Sequence, residues 1–259
     1  MDTFLLFLVV GFLAQAVDGA LGMAYGVISS SVLLALGVPP ATASASVHGA
    51  EVFTTAASAG SHIWHRNVDW RLLLPLAIAG VIGGCLGAYV LTGIEGGVIK
   101  PFVIAYLALM GAYILWRAGH DIRIRRIRSW VAAPLGLIGG FLDAIGGGGW
   151  GPTVSSTLVG AGQEPRRAIG TVNTAEFFLA VAISAAFVWA LLSGHWRNAD
   201  ALQNHASAVA GLVIGGLAAA PFAGWITKRV PAKVLTYMVG GLIVLLAGYQ
   251  GLQIAGVAP

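Results

Sequence analysis

Three stretches of this 259-residue chain carry no charged side chain: Leu72–Ile94, Ala206–Thr227 and Val234–Pro259. Each is 22 residues or longer. A helix needs about 20 apolar residues to cross the ~30 Å hydrocarbon core of a bilayer. Inside lipid the backbone must satisfy its own hydrogen bonds, which leaves only helices and closed barrels. Composition points the same way: 58% of residues are hydrophobic and 9% are charged, where a soluble domain has about 25% charged. The expected class is an all-α integral membrane protein. The longest polar segment, Arg117–Arg128, is too short for a soluble domain. The net charge of +4 reports orientation in the membrane and is no nucleic-acid signal. Cys85 is the single cysteine, so no internal disulfide is expected. The opening residues lack a basic segment, so no cleavable leader is expected.

Two of the apolar stretches are interrupted in the same way, by "DGALGMAYG" (18–26) and "DAIGGGGWG" (143–151). Glycine costs about 1 kcal/mol per residue in a helix relative to alanine, and a carboxylate inside a membrane costs about 2.5–3.5 kcal/mol. Shifted by 125 positions, residues 18–53 match residues 143–178 without a gap, with 13 identities in 36 positions. The Asp18/Asp143 and Glu51/Glu176 pairs are among them, and His48 falls on Asn173. The chain is therefore read as two repeats, 1–120 and 121–259, joined by a basic cytoplasmic linker at about 117–129.

The segments before the breaks, Thr3–Val17 and Trp130–Leu142, reach roughly 20 Å at 1.5 Å per residue. They read as half-helices of a broken span or of a re-entrant hairpin. Lysine and arginine choose between these. If the interrupted segments are hairpins, the full spans are 41–63, 72–93, 101–117, 168–192, 204–227 and 233–254. Twelve of the 14 basic residues then lie on one side. If the segments cross, the split is 8 to 6. The positive-inside rule favours hairpins, with both termini outside the cytoplasm. Three crossings per repeat invert the second repeat relative to the first. That arrangement is common in secondary transporters, whose sites lie where discontinuous helices meet.

The candidate site residues follow. The glycines of the two tips, with Gly22, Gly26, Gly147, Gly148 and Gly149 foremost, either permit close helix packing or let backbone approach a ligand. Met23, Tyr25 and Trp150 flank the tips and either pack there or line a pocket. Asp18 and Asp143 serve as N-caps of the following half-helix or as ligand or proton sites. Glu51 and Glu176 are intramembrane carboxylates, functional candidates by default. Ser44, His48, Glu51, Thr55, Ser58 and His62 recur at helical spacing and share one face, of which the second repeat keeps Asn173, Glu176 and Ser184. His48 sits one turn before Glu51, and the two suit proton coupling together with Glu176. Two such ligands are too few for a metal site, and no cofactor is expected. Arg166 and Arg167 set orientation or funnel anions.

The paired "DGALGMAYG…PPATASASVHGAEVF" and "DAIGGGGWGP…EPRRAIGTVNTAEFF" resemble the sulfite exporter TauE/SafE family over nearly the whole chain. Gly146–Pro152 is the closest match to its usual motif, and the first repeat departs from it by lacking the consecutive glycines and the proline. The resemblance implies a bacterial plasma-membrane permease for sulfite, sulfonates or related sulfur anions. The inside-negative potential favours anion exit by about 2.3 kcal/mol per charge per 100 mV. The functional expectation is a non-enzymatic secondary transporter of a small sulfur-containing anion, working by alternating access with protonation of Glu51 or Glu176 coupled to binding. The competing reading is a cation or metal-ion permease that uses the paired carboxylates as oxygen ligands.

Overall fold

A computed structural model describes residues 3–21, 23–120, 131–161, 163–197, 206–219 and 232–257. Gly22, the arginines at 123, 125, 126 and 128, and Lys228 and Arg229 lie outside them. The described residues form helices and connecting turns, with no strand.

The first half comprises α1 (Thr3–Leu21), α2 (Tyr25–Ala35), α3 (Pro40–Trp64), α4 (Trp70–Gly93) and α5 (Gly96–Ala118). The second comprises α6 (Ala132–Gly146), α7 (Ser156–Gly160), α8 (Pro165–Leu192), α9 (Ala206–Ala219) and α10 (Ala232–Ile254). A π-helical turn, Gly151–Ser155, leads into α7. Pro152 lies within it and has no N–H to continue an α-helical ladder. Both α3 and α8 start on a proline, Pro40 and Pro165. Proline is suited to a first helical position because no partner is lost there.

Among the described residues, four helices are long and apolar enough to cross a membrane: α4, α5, and the 166–192 and 236–254 parts of α8 and α10. The expected span at 41–63 is present as α3, 25 residues long. Its polar stripe keeps it out of the apolar set, and Ser44, His48, Glu51 and Thr55 of that stripe are buried. Outward faces carry exposed Ile78, Ile82, Phe102, Leu109, Val188 and Leu245, the pattern of a surface covered by lipid rather than water.

One expected boundary moves. Asp18 and Asp143 were expected just after the first half-helices. Instead α1 runs to Leu21 and α6 to Gly146, so both aspartates lie in the last turns of their helices. At 1.5 Å per residue α1 is about 28 Å long and α6 about 22 Å. The aspartates tolerate this position because each side chain reaches forward to the next helix.

The dominant pairings are α1 with α9, α6 with α4, α3 with α8, and α5 with α10. Backbones touch at the first two. A Cβ on Gly87 would stand 2.6 Å from the Phe141 carbonyl oxygen, and Gly83 packs against the Leu137 carbonyl. Across the other interface, Gly211 faces the Phe4 carbonyl oxygen at 2.6 Å from its virtual Cβ. These glycines serve close helix approach, the usual device where the hydrophobic effect cannot drive association.

Candidate functional site

Each half breaks its helix with the same bond. Asp18 Oδ1 accepts from the Tyr25 backbone N–H at 3.3 Å, and Asp143 Oδ1 accepts from the Trp150 N–H at 2.8 Å. Tyr25 opens α2, where N–H groups have no intrahelical partner and a carboxylate is favoured by the helix dipole. The aspartates therefore do cap the following segment, from seven residues upstream. The turns differ in chemistry. Gly147, Gly148 and Gly149 have φ of 65°, 145° and 158°. Ala24, the counterpart of Gly149, takes φ 127°, a region that costs a side chain of order 1–3 kcal/mol.

The two tips touch. A Cβ on Gly26 would lie 2.6 Å from Gly148 Cα and 2.8 Å from Glu51 Oε1. The second tip is also tied to the first half by hydroxyls: Ser30 donates to the Gly147 carbonyl, and Ser44 donates to the Ala144 carbonyl at 2.5 Å. Tyr106 packs on Gly146 and Gly149.

The polar stripe of α3 is shared between two places. Its first part meets the second tip. His48 is fully buried, with Nε2 at 3.2 Å from Asp143 Oδ2 and Nδ1 at 2.8 Å from the Ser44 carbonyl oxygen. A neutral imidazole has one N–H, and here both nitrogens face acceptor oxygens. The His48 ring thus bridges the second tip's aspartate and its own helix, with the Ser44 hydroxyl also 3.3 Å from Nδ1. His48 was expected to work with Glu51, but its ring nitrogens are turned to Asp143 and Ser44.

The second part of the stripe lines a tight cleft. Glu51, Thr55 and Ser58 of α3 face Asp18 and Gln15 of α1, Tyr25 of α2, and Asn173 and Glu176 of α8. Tyr25 is held by donating to the Leu212 carbonyl at 3.1 Å. Thr55 donates to the Glu51 carbonyl. Glu51 is 2% exposed, and its Oε2 is buried with no hydrogen-bond partner. Among the described residues, no lysine, arginine or histidine lines the cleft. Asn173 Nδ2 lies 3.4 Å from His62 Nε2, the last member of the stripe.

The cleft thus collects Asp18, Tyr25, Glu51, Asn173 and Glu176. Gly26 touches it through Glu51. Gly147, Gly148 and Asp143 form the second tip's contact with α2 and α3, His48 included, and Gly149 packs on Tyr106 of α5 instead. Trp150 is fully buried in an apolar cluster with Leu179, donating to the Val172 carbonyl at 3.2 Å. Met23 sits apart from the cleft, with its sulfur 3.6 Å from Arg117 Nη1. Arg117 donates to Ser156 at the start of α7, which makes it a half-buried cation between the first tip and α7. Sequence reasoning placed Arg117 in the linker, and nothing local signalled otherwise. Gln15 was also missed, although its place one turn before Asp18 offered a signal. Among the described residues, no three His, Cys, Asp or Glu side chains are arranged to hold a metal ion.

A multi-pass helical assembly with a buried polar seam between broken helices is the architecture of a membrane transporter. The chain belongs to the sulfite exporter TauE/SafE family, whose sequence model matches residues 7–249. It is also 43% identical over 252 residues to a protein of Bacillus subtilis (strain 168) named probable membrane transporter protein YtnM, covering 95% of this chain and 81% of that one. No solved structure matches it.

Proposed function

We propose that this chain is a secondary transporter of a small sulfur-containing anion, working by alternating access around the cleft between α1, α2, α3 and α8. The observation that carries the reading is the meeting of two like-built broken helices, each capped by its own aspartate, beside a buried acidic seam. The repeats, 1–120 and 121–259, are taken as inverted. Exchange packing supports this: the first helix of each half lies on the fourth helix of the other, while α3 pairs with α8 and α5 with α10. The tips are re-entrant hairpins, and both termini lie outside the cytoplasm of a bacterial inner membrane.

The cargo is named from the family's description and from Arg117, the cation that stands between Met23 and Ser156. Glu51 and Glu176 carry the coupling proton. A second reading, a cation permease, is favoured by the cleft's carboxylates, which no basic residue joins among the described residues.

Ligand-induced thermal stabilisation separates the two. A ligand that binds only the folded state raises apparent stability by mass action. Sulfite, sulfate, thiosulfate and organic sulfonates are compared with divalent cations. The proposal requires a shift with a sulfur anion that Arg117→Gln weakens. A shift with cations alone, abolished by Glu51→Gln, makes the chain a cation permease.

A further inference from the structure

The two tips are chemical twins with one substitution between them. At the second tip, Asp143 Oδ2 lies 3.2 Å from His48 Nε2, an imidazole that is able to carry a proton. Moving both residues by 125 positions pairs Asp18 with Asn173, and both of these line the cleft. An amide carries no charge at any pH. The second tip's carboxylate therefore has a permanent partner able to hold a proton, and the first tip's does not.

The surroundings add to the deficit at the first tip. Glu51 and Glu176 face the same cleft, and Glu51 Oε2 is buried and unpartnered. Burying an ionised carboxylate without a counter-charge is strongly unfavourable, and like charges around one cleft repel. The groups that act on Glu51 are Asp18 from α1, Tyr25 from α2, Glu176 from α8 and Asp143 from α6. His48 lies one turn away on α3, engaged with Asp143, and His62 stands beside Asn173. The contribution of α9 among the described residues is the uncharged Leu212 carbonyl and Gly216. Among the described residues, no lysine or arginine lines the cleft beside the three carboxylates.

We infer that the cleft takes an exchangeable monovalent cation, a proton or an alkali ion, in the place that its twin gives permanently to His48. Asn173 is the determinant, because a neutral residue there leaves the position open to exchange. The inference rests on the reading that this cleft is the working site of a transporter. It assigns different jobs to the tips: a closed, histidine-partnered contact at Asp143 and a loadable one at Asp18.

The test uses the purified full-length chain and its apparent Tm. One arm adds sodium or potassium chloride at fixed pH, with choline chloride keeping ionic strength constant. The other lowers pH at fixed salt. The wild type is expected to rise in Tm in the alkali arm if an alkali ion is bound, or only in the pH arm if a proton is. Glu51→Gln and Asp18→Asn, neutral and nearly isosteric, are expected to lose most of that rise. Asn173→His, which copies the twin, is expected to reduce it. A flat wild-type Tm in both arms, or a full response retained in Glu51→Gln, overturns the inference. Where Asn173→His does not fold, Glu51→Gln decides. Solute uptake into proteoliposomes separates the two layers: uptake with a flat Tm sinks the inference and leaves the transporter reading, whereas a cation-dependent Tm without uptake of any solute does the reverse.

Discussion

His48 Nε2 lies 3.2 Å from Asp143 Oδ2, joining residues 95 positions apart at the point where the second tip meets α3. Both side chains are buried, and Asp143 spends its other oxygen on the Trp150 N–H. Removing one partner of a buried pair leaves the other uncompensated, which costs about 3–5 kcal/mol. His48→Gln and Asp143→Asn are each expected to destabilise the folded chain by about that much. The double variant should cost clearly less than the sum of the two. Thermal denaturation of the three variants in one detergent checks this, and strict additivity contradicts direct pairing.

The turn residues predict opposite outcomes at equivalent positions. Ala24 has φ 127°, so Ala24→Gly should stabilise the chain by about 1–3 kcal/mol as strain is relieved. Gly149→Ala should destabilise it, since φ is 158° there and the new methyl would overlap the Tyr106 hydroxyl. Adding Tyr106→Phe should recover part of the loss. Apparent Tm values of the three proteins check the signs.

Close helix approach is testable with an internal control. A side chain at Gly83 would strike the Leu137 carbonyl, whereas one at Gly97 meets nothing within 4 Å. Gly83→Leu is expected to abolish the monodisperse peak in gel filtration. Gly97→Leu is expected to leave it unchanged.

The proposed topology predicts labelling. In a Cys85→Ala background, a cysteine replacing Gly97 should react with a membrane-impermeant maleimide added to whole cells. A cysteine replacing Asn67 should react only after the membrane is permeabilised. The reverse pattern puts the termini inside.

Much of the fold was legible because lipid imposes strict rules on a chain. Uncharged runs and arginine placement led to α4, α8 and α10 within about three residues, and to α5, which begins at Gly96 rather than at 101. The self-match at 125 positions anticipated that α3 and α8 start alike, on Pro40 and Pro165. The site was partly legible. Helical spacing put Glu51, Thr55 and Ser58 on one face, and they line the cleft together. Spacing says which residues share a face but not what that face meets. Hence His48 was read with its neighbour Glu51, although its partner is Asp143 on another helix. Trp150 follows the tip as Tyr25 does, yet it faces the apolar cluster with Leu179, while Tyr25 turns to the cleft. The repeat fixes backbone position, and the neighbours around each copy decide the side chain's surroundings. Arg117 escaped notice because its partners, Met23 of the first tip and Ser156 at the start of α7, come from distant parts of the chain.

The central claim is that a sulfur anion moves through this chain with a proton taken up at the acidic cleft. The most direct measurement is thiosulfate uptake into proteoliposomes holding an internal pH-sensitive dye, for the wild type and Glu51→Gln. The account predicts that thiosulfate entry changes internal pH in the wild type, and that Glu51→Gln abolishes the pH change while the folded protein is retained. Thiosulfate entry and pH change at wild-type rates in Glu51→Gln would contradict it, as would a vesicle that passes cations and no sulfur anion.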